Sequence, residues 1–140
     1  MMTEKRYKIE VFELQKRNVP FRFFDLDTDK PYVIMAAKTN SGTIYKLRMD
    51  LDNFPNDPPF VSTTELLYTK SGRPMNDTSG HMHCLASPYG TGICHYGSSW
   101  NKSVLLDRVF IKCRLWLEMY ELHLQSGKPI EYYLKEDKGQ

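Results

Sequence analysis

Three of the four histidines and two of the three cysteines of this 140-residue chain fall within residues 70–101, where His81, His83, Cys84, Cys94 and His95 sit near Trp100. The same stretch carries Gly72, Gly80, Gly90, Gly92, Gly97, Pro74 and Pro88 and no sustained hydrophobic period. Structureless segments longer than ~12–15 residues inside a compact domain are as a rule functional loops or disorder. Disorder fits badly, because reactive and aromatic side chains are not solvating filler.

Two chemistries compete for these residues. In the run GTGICHYGSSW, Cys94 follows a glycine-rich bend, so its sulfur can be reached by the carbonyl or thioester of another protein. A free thiol titrates near ~8.5, and a nearby imidazolium or helix N-terminus would enlarge its thiolate fraction. His81, His83 and His95 are the candidates for that role. Alternatively His81, His83, Cys84, Cys94 and His95 offer ligands for a tetrahedral structural zinc. Their spacing is atypical for such a site: no C-x(2–4)-C pair exists, and His95 directly follows Cys94. A third reading makes each thiol a small buried hydrophobe; it suits Cys113 best, at the centre of an apolar helical stripe.

The elements that must hold this stretch can be read on either side of it. Over residues 3–17 apolar Tyr7, Val11 and Leu14 recur at helical steps, with Glu4/Lys8 and Glu13/Arg17 as opposite charges four apart. This predicts an amphipathic helix laid on a sheet, although Tyr7, Ile9 and Val11 also alternate as a strand would. Runs 21–26, 32–38 and 43–51, separated by DTDKP and TNSG, predict an antiparallel meander. Tyr45, Leu47, Met49 and Leu51 alternate with Lys46, Arg48 and Asp50, one face buried and one wet. A fourth strand is expected within 61–69, after the crossover FPNDPPF at 54–60, whose prolines cannot donate to a ladder.

On the far side, Leu106, Phe110, Cys113, Leu117, Tyr120 and Leu124 define one stripe of a helix, widened by Leu105, Val109 and Trp116. With Ser103 to cap it and Gly127 and Pro129 to end it, the helix should span 104–126. His123 reads as a solvated or packed helix residue. Residues 130–134 should fold back, and the polar tail KEDKGQ should fray.

Residues 1–140 are read as one domain of mixed α/β (α+β) class: a meander sheet with an N-terminal helix and a long C-terminal helix. Composition excludes several other roles. Hydrophobic residues at 41% and charged residues at 26% are ordinary globular usage. Nineteen Lys and Arg against seventeen Asp and Glu leave +2, with no basic run to hold nucleic acid. The longest apolar runs fall far short of the ~20 residues that cross a bilayer. The start MMTEKRYKIEVF has charges scattered through it, unlike a secretory signal, so a cytoplasmic location is expected. An odd cysteine count fits a reducing compartment.

Taken in order, the chain resembles the ubiquitin-conjugating enzyme family over residues 7–124. The resemblance rests on the crossover residues Phe54, Pro55, Pro58 and Pro59, on Gly92-Ile93-Cys94, and on Trp100 several residues later. The run WLEMYELHLQSGKPIEYYL is more similar to stand-alone bacterial relatives in anti-phage operons, including the cyclic-oligonucleotide-based signalling systems (CBASS). The resemblance implies a ubiquitin-conjugating-enzyme-like fold and a thioester of a ubiquitin-like or other protein C-terminus on Cys94, passed to an amine. It implies an activating enzyme and an acceptor protein as partners, a nucleotide cyclase among the candidate acceptors, and neither a metal nor an organic cofactor. It also implies that Trp100 packs beneath the Cys94 loop.

One departure bears on mechanism. The family's His-Pro-Asn tripeptide corresponds here to His81-Met82-His83, without the asparagine. His83, Asn101 or a backbone N–H beside Cys94 are the candidates to supply the donor for developing negative charge. The reading from a different class is a non-catalytic protein-binding module of the same fold, with Cys94 incidental or a zinc ligand.

Overall fold

The structure, a computed structural model, describes residues 2–77, 80–96 and 99–138. Gly97 of the glycine-rich bend and the last two residues of the polar tail lie outside the described residues.

The first helix, α1 (Glu4–Lys16), begins where expected because Thr3 accepts the Arg6 backbone N–H on its side chain at 3.1 Å. Leu14 is buried, and Tyr7 sets its ring edge-on against Phe23 at 5.0 Å. The Glu4–Lys8 pair forms at 3.5 Å, but the expected Glu13–Arg17 pair does not. Arg17, at the C-cap, instead turns its side chain to Asp107 at 2.5 Å.

Strands β1 (Phe21–Phe24), β2 (Tyr32–Lys38), β3 (Ile44–Asp50) and β4 (Phe60–Thr63) follow as the predicted meander. β4 is shorter than the run suggested, because the chain turns away after Thr63. Two further strands, β5 (Cys84–Leu85) and β6 (Gly92–Ile93), arise inside the stretch that shows no period in the sequence. The described sheet is antiparallel throughout, in the order β1-β2-β3-β4-β6-β5. Directly opposed Val33, Met49, Val61 and Ile93 form one buried row across four strands.

Helix α2 (Leu106–Ser126) covers the buried face with Val109, Cys113, Trp116, Leu117 and Tyr120. It starts two residues later than predicted, and Ser103 does not cap it. The carboxylate of buried Glu10 takes that place, accepting the Leu106 N–H at 2.8 Å across the α1–α2 interface. The stripe also shifts at its end, where Leu124 is exposed and His123 is buried. His123 accepts the Lys70 N–H on Nε2 at 3.0 Å and donates from Nδ1 to the Lys128 carbonyl at 2.9 Å. Gly127 ends the helix at φ 80°, the left-handed cap its type permits. The fold-back segment is a helix, α3 (Ile130–Lys138), which extends past Leu134 into the polar tail. Ile130 is fully buried and pins α3 back onto the core.

Candidate functional site

Cys94 emerges directly after β6. Ile93 points into the core, alternation turns the next side chain outward, and Cys94 is exposed with a free thiol. Its backbone N–H donates to the His83 carbonyl at 3.0 Å, which carries the β5–β6 pairing one step further. Close approach of these strands demands glycine. A Cβ on Gly92 would lie 2.6 Å from the Leu85 carbonyl oxygen, and one on Gly90 would lie 2.1 Å from that of Thr63.

The histidine loop is tied down from three sides. The indole of Trp116 on α2 donates to the Met82 carbonyl at 3.2 Å, and the Cys84 thiol donates to the Met75 carbonyl at 3.1 Å. From α3, Glu131 lies 2.5 Å from His81 Nδ1 and 3.8 Å from His83 Nε2. His83 itself holds φ at 51°, a left-handed conformation uncommon for a residue other than glycine. Its Nε2 is shielded from solvent and forms no hydrogen bond among the described residues. Nothing in the sequence marks Glu131 for this position, since the run IEYYL that holds it carries no motif; only the docking of α3 brings it to the loop.

Residues that follow Cys94 pack on the proline-rich crossover. Trp100 donates from its indole to the Pro55 carbonyl at 3.1 Å and packs against Phe54 at 6.0 Å and Tyr96 at 5.4 Å between ring centres. The peptide between Phe54 and Pro55 is cis. Trp100 is half-buried rather than a core residue. Arg6 of α1 binds Glu10 at 2.7 Å, reaches the Lys102 and Val104 carbonyls at 2.6 Å each, and lies over the Phe54 ring at 5.0 Å. One guanidinium thereby joins α1, the crossover and the approach to α2.

The sequence-derived candidates separate in space. His95 turns into the crossover, where Nε2 donates to the Pro59 carbonyl at 2.9 Å and Nδ1 is buried without a hydrogen-bond partner among the described residues. Burial lowers its pKa, assisted by the charge of Lys112 and opposed by the bond to Pro59. His95 therefore anchors the Cys94 loop to the proline-rich crossover. Asn101 is exposed, and its side-chain oxygen accepts from the Ser103 N–H at 3.0 Å and from the Ser103 hydroxyl, closing the turn before α2. His81 and His83 share Glu131, and His83 alone meets Cys94 through its main chain.

The three thiols differ in kind. Cys94 is exposed, Cys84 is half-buried, and Cys113 is fully enclosed, where burial pushes its pKa up and keeps it protonated. The five residues considered as zinc ligands do not converge: among the described residues no group of three or more His, Cys, Asp or Glu side chains is placed to hold a metal ion. Among the same residues no helix is long and apolar enough to cross a membrane. Comparison with protein-family models, with curated proteins and with solved structures gives no match to this chain.

Proposed function

We propose that the protein is a conjugating enzyme of ubiquitin-conjugating-enzyme-like fold, which carries a ubiquitin-like or other protein C-terminus as a thioester on Cys94 and transfers it to an amine, in bacterial anti-phage defence. The observation that carries this reading is the setting of Cys94: the exposed thiol at a sheet end, backbone-paired to the histidine loop and followed directly by His95, which is anchored to the Pro59 carbonyl of the proline-rich crossover. Acyl transfer through sulfur needs an accessible thiol, a rigid backbone behind it and room for two protein partners in turn. The order of elements, from N-terminal helix through meander and proline-rich crossover to the cysteine and the long helix, supports the same family.

Both half-reactions are acyl transfers, with Cys94 sulfur attacking in the first and leaving in the second. A reconstituted reaction tests the assignment, with an adenylating enzyme of the ubiquitin-activating class, ATP and its ubiquitin-like substrate. Wild-type protein should give an adduct released by added thiol. Cys94→Ser should give a thiol-resistant oxyester and Cys94→Ala none, while Cys84→Ser remains active. Normal conjugation by Cys94→Ala would show the enzyme reading to be wrong.

A further inference from the structure

We propose that Glu131 and His81 form a carboxylate–imidazole pair that takes the proton from the incoming amine when the Cys94 thioester is discharged; this rests on the conjugating-enzyme reading above. A carboxylate only accepts hydrogen bonds, so the 2.5 Å contact fixes the His81 proton on Nδ1 and leaves Nε2 as the basic nitrogen. The arrangement has the logic of a base oriented by a third group, reached here from a helix distant in sequence. The His81 side chain is 66% exposed, which suits a group that must meet an acceptor arriving from solution, whereas Glu131 at 31% is held against the fold. Main-chain pairing of His83 with Cys94 brings the loop that bears His81 to the cysteine, and the Trp116 bond to Met82 fixes the residue between the two histidines. His95 is unsuited to the task, because its Nε2 is engaged by Pro59 and its Nδ1 is buried.

In the discharge step the acceptor nitrogen attacks the thioester carbonyl carbon. A C–N bond forms, the C–S bond breaks, and its electron pair departs on the Cys94 sulfur as thiolate. The proton shed by the nitrogen passes to His81 Nε2. His81 touches the reacting amine and is the catalytic residue of the pair; Glu131 acts through it as a positioning residue.

The test needs no protein partner. Full-length protein carrying Cys84→Ser is acetylated on Cys94 with p-nitrophenyl acetate, freed of reagent and mixed with glycinamide, and loss of the acetyl group is followed by intact mass. His81→Ala should slow the amine-dependent discharge about 10²-fold, within the range for loss of a general base. Glu131→Gln should slow it at least about tenfold, because the ring loses the partner that fixes its tautomer. Glu131→Asp should recover part of the rate, and free imidazole should accelerate His81→Ala by a larger factor than the parent. Melting temperatures of the variants should stay near that of the parent, since the pair lies at the surface. Discharge within twofold of the parent in both His81→Ala and Glu131→Gln would overturn the proposal while leaving the thioester reading standing. Failure of Cys94 to accept the acetyl group at all would overturn that reading and the proposal with it.

Discussion

His95 and His81 stand close to the same cysteine in the sequence, yet the fold gives them opposite environments. The His81 ring is exposed beside a carboxylate, whereas His95 is half-buried, with its pKa lowered chiefly by desolvation. The unfolded chain takes up the His95 proton near pH ~6.5, while the folded chain resists it until lower pH. Just below pH ~6.5 the unfolded state therefore binds more protons, and this residue makes stability fall as the solution is acidified. His95→Gln removes the titration and keeps an amide donor for the Pro59 carbonyl. Urea midpoints at pH 7.5 and 5.5 should show a larger loss for wild type than for His95→Gln; equal losses would mean that the ring is hydrated and titrates freely.

At the scale of elements, the junction of α1 with α2 depends on one carboxylate. Glu10 is fully enclosed, receives the Arg6 guanidinium at 2.7 Å, and accepts the first N–H of α2 at 2.8 Å. Burial raises its pKa, opposed by the Arg6 and Leu106 hydrogen bonds. Glu10→Ala would leave a largely buried guanidinium and a helix N-terminus without their partner, and should destabilise the protein by about 3 kcal/mol. Glu10→Gln keeps an oxygen for Leu106 and should lose less. Denaturant unfolding with an unchanged m-value measures both. A loss below about 1 kcal/mol for Glu10→Ala would show that water or another group replaces the carboxylate easily.

Considered as a whole molecule, the chain closes on itself through α3. Ile130 is fully buried in the core, and the residue after it, Glu131, reaches the histidine loop. Packing and site geometry thus share one short helix. Ile130→Ala should cost about 2–4 kcal/mol, the transfer and cavity penalty of a buried aliphatic side chain. Amide exchange should also accelerate in α3 before it does in β2 and β3, whose pairing does not depend on Ile130. Unchanged protection in α3 would show that its docking rests on other contacts.

What the sequence by itself determined is the periodic part: α1, the first three strands and the span of α2 to its glycine cap. Those features follow from local rules, because alternation, helical spacing and turn residues act within a few positions. The tertiary structure decided the rest. Strands β5 and β6 are two residues each, too short to show a period, and exist because β4 offers them an edge. His95 carries no local sign that it would turn to Pro59, nor Glu131 that it would meet His81, since each partner lies dozens of residues away and is brought near only by packing. The same holds for Glu10, which reads as one more charge on an amphipathic helix until α2 is laid across it and an unpaired N–H requires its carboxylate.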